Sequence, residues 1–436
     1  MSQELDGRAA QIKGCYEASV DASNRNGNET DKIQQGPFVR FVQASPVVAL
    51  LAIFGCGEAP PISQDVVPVI SSDAQIWDAA TAWRVDPIPT LVIGVEDGNA
   101  AQEFYRVRSV IRLADGTFVV GDASSGELRF FDNDGQFLFA AGGRGSGPGE
   151  FAEFSSLRMC RNGDRIIVED NGADRFHLFE TSGDLVETVA ISSEAGRPPN
   201  IIGCFADGSL LAVSGGGALR GNPGDVIELT TTYHRYSDHG VYANAIATVA
   251  SRPRYVNEVG GRRQYPFIPL TASPEVAAGS DAMFLSYGGG AVVWMYDLAG
   301  SPIAEYRWNP DGRARVSDVW REYTEESLGH MGQEDLQMYR HFYSLELPLP
   351  EYIPVVNGLN VDPEGNVWVE RVTPPGRSHR TWTVLSSEGV HFGDVDFPPD
   401  VAVLEIGLDY VIGLHIDELN VERIHVYSLL KPRTDM

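Results

Sequence analysis

A turn dipeptide returns about every 45 residues along this chain, and that recurrence constrains the fold more than any other feature. Asp115-Gly116, Asn162-Gly163 and Asp207-Gly208 each sit between runs of strand-like alternation. Asn-Gly and Asp-Gly accept positive φ at low cost and favour two-residue hairpins. Weaker forms return at Ser280-Asp281, Glu364-Gly365 and Leu408-Asp409. A second hairpin follows about 20 residues after most of them, at Asp134-Gly135, Ser182-Gly183, Ala299-Gly300 and Glu388-Gly389, with a stretched version at His239-Gly240.

The segments between these turns are alike. The first unit reads Val107–Leu113, turn, Thr117–Asp122, loop, Leu128–Asp132, turn, Gln136–Phe139. Arg165–Asp170 and Arg175–Phe179 repeat it in the second unit, and Leu359–Asp362 and Asn366–Glu370 in the fifth. Four strands per repeat of this length define a propeller blade, and six such units account for residues 104–428. The last unit offers only three strands, Val401–Leu408, Tyr410–His415 and Glu422–Ser428, while Thr90–Val95 is an orphan strand upstream of the first. Pairing the orphan with the last blade closes the ring and removes two exposed edges. The expected fold is therefore all-β: one six-bladed β-propeller of four-stranded blades over residues 90–436. The 46 glycines and 26 prolines agree with so many turns.

The segment Gly142-Gly143-Arg144-Gly145-Ser146-Gly147-Pro148-Gly149-Glu150-Phe151 resembles the glycine-rich, Phe-terminated link between NHL-type blades. With the repeat, it makes the chain similar to the NHL-like and TolB-like six-bladed propellers that occur as bacterial exported lipoproteins. That resemblance implies a fold and leaves the activity open. Most such propellers are binding platforms, and a minority are lactonases or lyases with a central metal.

The amino-terminal region reads as export machinery. Residues 1–38 are polar and patternless, a doubtful leader with Val39 as the alternative start. Residues 39–56 contain a basic residue, the short apolar run Val47–Phe54 and a small residue before a break, the secretory signal pattern. Its eight apolar positions reach about 12 Å, against roughly 30 Å for a bilayer core, so this run is not a transmembrane helix. Ile53-Phe54-Gly55-Cys56 resembles a lipobox, which makes Cys56 the candidate lipidation site, and residues 57–89 read as a tether. The expected location is the bacterial periplasm or outer surface, with the membrane reached only through the lipid.

Acidic residues outnumber basic ones 60 to 33, for a net charge of −27. Broad contact with nucleic acid needs clustered Lys and Arg and is excluded. Against this background two insertions stand out. Residues 251–275, between blades three and four, carry Arg252, Arg254, Arg262, Arg263 and Tyr265. Residues 311–350, between blades four and five, show helical spacing through Val316, Trp320, Tyr323, Leu336, Tyr339 and Tyr343, broken at Gly329–Gly332. A helical pair capping one end of the ring is expected, forming a wall of a pocket or only anchoring the insertion. Arginine with aromatic residues suits a small anionic or sugar ligand through bidentate bonds and ring stacking. The alternative is that these arginines pair with the protein's own carboxylates. Arg144, Arg371 and Trp320 join the candidate ligand-binding set, and Asp122, Glu169, Asp170, Arg377, His379 and Arg380 face the same rim.

Catalytic motifs are absent. The glycine-rich run lacks P-loop and dinucleotide-turn spacing, Ser146 is outside a G-x-S-x-G elbow, and the nine histidines show no zinc spacing. No cofactor is expected, with calcium the one candidate. Asn200, Glu275 and Asn357 lie near the right phase of blades three, four and five to supply oxygen ligands at the channel mouth. Cys160 and Cys204 sit near the ends of the innermost strands of blades two and three. Neighbouring blades would bring them within disulfide reach, the alternative being two buried thiols. The expected function is an exported, lipid-anchored binding module acting on a small ligand or another envelope protein through its capped face. The alternative is a calcium-dependent lactonase or lyase at the channel mouth.

Overall fold

The computed structural model describes residues 67–432, except 73, 79, 194–197, 311, 330, 376–378 and 399. The leader, the signal segment with Cys56, the first ten residues of the expected tether, and Arg377 lie outside the described residues.

Six antiparallel sheets follow one another as blades. Blade one comprises Val107–Arg112, Phe118–Asp122, Glu127–Phe131 and Phe137–Gly142, and blade two comprises Met159–Asn162, Arg165–Asp170, Arg175–Glu180 and Leu185–Ala190. The four main strands of blade three begin with Asn200–Cys204, those of blade four with Glu275–Ala278, and those of blade five with Val356–Val361. Blade six takes Val401–Ile406, Tyr410–Ile416 and Glu422–Leu430 from the end of the chain. Its outer position is filled by Leu91–Ile93, antiparallel to the last strand, with Leu91 opposite Val426 and Ile93 opposite Ile424.

Each seam between blades encloses its own apolar cluster. Trp368, Trp382 and Phe397 of blade five meet Val401, Val411 and Tyr427 of blade six. Ile412, Ile424 and Val426 of blade six meet Val110, Phe118 and Phe131 of blade one. The other four seams are filled alike, so the core is a ring of six clusters. Burying one Phe or Leu in such a seam contributes roughly 1.5–3 kcal/mol.

The turns share a side-chain device. Asp132, Asp297, Asp362 and Asp417 each accept backbone N–H bonds on Oδ1 from the residues two and four positions later. Ser237 and Ser386 do the same with Oγ. The residue three positions later takes positive φ, as at Gly135, Gly365 and Asn420.

The described part of the expected tether is a correction: it is not free. Val69–Ser72 adds as a fifth, parallel strand on the outer edge of blade four, with Val69 opposite Glu305. The chain then crosses blade five, where Ile76 and Trp77 donate N–H bonds to the carbonyls of His391 and Phe392. Arg84–Val85 pairs with Leu429–Leu430 of blade six. Trp77 and Trp83 lie tilted against each other at 4.9 Å between ring centres and pack on Phe392, because two large apolar rings in this stretch must be covered. The segment is a belt over three blades.

Candidate functional site

Every blade begins its innermost strand at one end of the ring, and the loops between second and third strands lie at the same end. Both insertions rise there. Helices α1 (Val316–Gly329) and α2 (Gln333–Tyr343) occupy the link between blades four and five. Tyr255 of the other insertion lies 6.0 Å from the buried ring of Phe342 on α2. Trp320 contacts Tyr323 and Tyr343 at 5.8 and 5.7 Å, holding the two helices to each other.

The candidate arginines are not brought into one site. Arg252 and Arg254 stack on Phe267, at 5.0 and 3.8 Å from its centre. Arg254 Nη1 also donates to the carbonyl of Tyr265 at 2.8 Å. These two hold the insertion's own shape. Arg262 and Arg263 are exposed on the strand that pairs with Asn257–Val259. Arg371 pairs with Asp394 at 3.0 Å, and Arg380 with Glu370 at 3.1 Å. His379 accepts a long hydrogen bond on its carbonyl from Thr373.

Asn200, Glu275 and Asn357 do stand at the same end, on the inner strands of three successive blades. The Asn357 amide nitrogen, however, donates to Glu370 at 3.0 Å. Glu370 is in turn held by Arg380. Among the described residues no group of three or more His, Cys, Asp or Glu is disposed to hold a metal ion.

The glycine-rich run serves as an interblade connection. Gly142 has φ of +87°, and a Cβ there would meet the ring of Phe151 at 2.7 Å. Phe151 fills the seam between blades one and two. Arg175 fastens the run to blade two by donating to the carbonyls of Ser146 and Glu150 and to Asp170. Buried His177 lies against the same Glu150 carbonyl at 3.1 Å. Cys160 and Cys204 are joined by a disulfide across the seam of blades two and three, with Cα atoms 5.7 Å apart.

A concavity lies elsewhere at this end, over the seam where blade six meets blade one. It encloses about 390 Å³ and is built from three loops. The link from the belt into blade one supplies Val95, Glu96, Ala100, Glu103, Phe104 and Tyr105. The second-to-third-strand loop of blade one supplies Asp122, Ser124 and Ser125, with Arg129 just beyond, and the corresponding loop of blade six supplies Asn420 and Val421. Arg144 borders the site: its Nε donates to the carbonyl of Ser124 at 2.9 Å.

A buried ion pair forms the floor. Arg129 Nη2 stands 3.3 Å from Asp122 Oδ2, and the two side chains are 8% and 2% exposed. Arg129 Nε bonds Glu127 at 3.1 Å, and Nη1 donates to the carbonyl of Glu103 at 2.7 Å. Burial pushes the Asp122 carboxyl above the usual range, against the N–H of Ser124 and the charge of Arg129. Glu422, beside the cavity, is raised likewise by burial and by Asp122, though it accepts the N–H of Val107 at 2.7 Å. The backbone is left-handed at Arg106 and at Asn420, with φ of 67° and 63°. Such conformations persist only where the surroundings enforce them.

The rim is unengaged. Among the described residues, the side chains of Glu96, Tyr105 and Asn420 and the hydroxyl of Ser124 make no hydrogen bond or ion pair, and Tyr105 is 53% exposed. Of these lining residues, only Asp122 was legible from strand position. Arg129 carried an unread signal: a cation inside Leu128-Arg129-Phe130-Phe131 must be buried beside an acid.

The opposite end of the ring is tied shut on one side. Arg161 of blade two donates to Glu405 of blade six at 2.5 Å and to the carbonyl of Arg112 in blade one at 2.7 Å. Tyr410 donates to the same Glu405 oxygen at 2.5 Å.

Sheet order and seams define this chain as a six-bladed β-propeller. The family model DUF5128, described as a 6-bladed beta-propeller, matches residues 102–194, which hold the first two blades. No curated protein matches the sequence. Among solved structures, a member of the DUF4221 family from Bacteroides vulgatus gives a TM-score of 0.47 at 10% identity, over 81% of this chain and 99% of that one. A "Putative exported protein" from Bacteroides fragilis gives 0.45 at 12% identity, over 83% and 100%. A virginiamycin B lyase from Staphylococcus aureus gives 0.37 at 11% identity, over 80% and 100%.

Proposed function

We propose that the protein is an exported, lipid-anchored propeller that binds a small polyhydroxylated ligand, a saccharide unit, in the cavity between blades six and one. The observation that carries this reading is the unengaged rim: a carboxylate, a hydroxyl, a phenol and an amide, without partners among the described residues, around an open cavity of about 390 Å³. Polar side chains of both hydrogen-bonding senses beside one exposed aromatic face suit a ligand with many hydroxyls and a C–H surface. The acidic lining disfavours the anionic ligand considered from sequence. A disulfide between blades two and three supports an oxidising compartment, in keeping with export.

Titration calorimetry of the full-length protein against neutral mono- and disaccharides tests the assignment. Binding weakened at least tenfold by Tyr105→Ala, with the melting temperature unchanged, is the expected result. Binding that ignores Tyr105→Ala would place the ligand elsewhere. The calcium-dependent lactonase or lyase reading predicts instead a shift in melting temperature on adding calcium or EDTA.

A further inference from the structure

We infer that the ligand of this cavity bears a positive charge, an ammonium group on a polyhydroxylated frame, as in an amino sugar. The inference rests on the saccharide reading above and adds the charge that the site selects.

The argument is one of charge accounting within the cavity. Arg129 is the one cation in its lining, against the carboxylates of Glu96, Glu103 and Asp122. The guanidinium has no free face to offer. Nε is taken by Glu127, Nη2 by Asp122, and Nη1 by the carbonyls of Ala101 and Glu103. Arg129 therefore neutralises what lies beneath, and the bordering Arg144 is turned to the carbonyl of Ser124 and to Glu153, so neither cation forms an ion pair with Glu96 or Glu103. Among the described residues Glu96 has no partner, and Glu103 accepts only the N–H of Gly98 on Oε1, at 3.2 Å.

Closing a ligand over this rim strips water from at least one carboxylate. With a neutral sugar that carboxylate receives hydroxyl hydrogen bonds but no counter-charge. An anionic sugar adds repulsion to the lost solvation. An ammonium group supplies the missing charge as a charge-assisted bond, and the Tyr105 face beside it stabilises a cation as well as a C–H surface. The free Ser124 hydroxyl and Asn420 amide remain for the hydroxyls of the frame. Both the acidic rim and the hydroxyl-matching groups are then used by one molecule.

Calorimetry of the full-length protein with D-glucosamine, D-glucose, D-glucuronate and putrescine tests the charge and the frame separately. D-glucosamine should bind at least tenfold tighter than D-glucose, and D-glucuronate should give no heat. Glu96→Gln, checked for fold by circular dichroism, should bring the glucosamine-to-glucose ratio close to one. Equal affinity for glucosamine and glucose overturns the charge inference and leaves the saccharide reading standing. Putrescine binding as tightly as glucosamine, with no heat from glucose, overturns the saccharide reading and keeps the charge. No heat from any of the four overturns both.

Discussion

Asp122 and Glu169 show how single carboxylates at the ends of blade strands divide their labour. Asp122 is kept by Arg129 as the floor of a cavity. Glu169 works as a latch between blades: buried at 1% exposure, it accepts the N–H of Ile201 from the next blade at 2.7 Å and a hydrogen bond from Ser156. Burial nevertheless outweighs those bonds and the charge of Arg158, and the Glu169 carboxyl is raised above its ordinary value of 4.5. The fold therefore holds this proton more tightly than the unfolded chain does. The stability it contributes is full below pH 4.5 and is lost as pH rises through the raised value. Asp170 behaves oppositely: burial raises it, but bonds from His177, Ser155 and Arg175 prevail and hold it below the usual range. Its contribution is lost as pH falls. Glu169→Gln should therefore remove a downward slope in stability that sets in as pH rises above 4.5, measured by urea unfolding at several pH values. A variant curve parallel to the wild type across that range would sink the assignment. The same residue scale explains what sequence could not reveal. Glu169 and Glu422 stand in ordinary strand-end positions, and only the approach of the neighbouring blade's N–H makes either one a latch.

At the scale of elements, the blades were legible because each must alternate to bury its faces against its neighbours, and each must turn where Gly or Asn can take positive φ. The turn signal is stronger than the dipeptides alone. Asp132, Ser237, Asp297, Asp362, Ser386 and Asp417 each stand three positions before Gly or Asn, so the side-chain acceptor and the left-handed residue form one unit. That unit recovers the blade-six turn at Asp417–Asn420, which the dipeptide search passed over. The helical pair was readable from its spacing and its Gly329–Gly332 break. The arginine insertion was not, since composition cannot say that Phe267 lies beneath Arg252 and Arg254. Among elements, the disulfide is the strongest single staple between blades two and three, closing 44 residues of chain. Replacing Cys160 and Cys204 together by alanine should cost on the order of 2–4 kcal/mol in denaturant unfolding. A loss below about 0.5 kcal/mol would mean that the seam's apolar cluster alone holds these blades together.

For the whole molecule, ring closure was foreseen in the orphan strand at residues 90–95, because two bare edges demanded a partner. The belt upstream of it was missed. Its composition, Pro-rich and Ser-containing, reads as a linker, and pairing on outer edges leaves no alternation to detect. Yet it seals blades four, five and six in sequence and ends in the closing strand itself. Trp77→Ala with Trp83→Ala should therefore loosen more than its own surroundings. The double variant should lower stability by roughly 2–4 kcal/mol. It should also speed amide exchange at Leu91–Ile93 before exchange rises in blades one to three. Unchanged protection of that strand would show the belt to be an ornament on a self-sufficient ring.

The belt also sets a load path. A pull arriving from the amino-terminal side reaches Val69–Ser72 first, where the chain lies parallel to Glu305–Trp308. Tension along that strand loads its hydrogen bonds together in shear, and it is spread over blade four before it reaches the closing strand on blade six. The closing strand is thereby shielded from tension applied on that side.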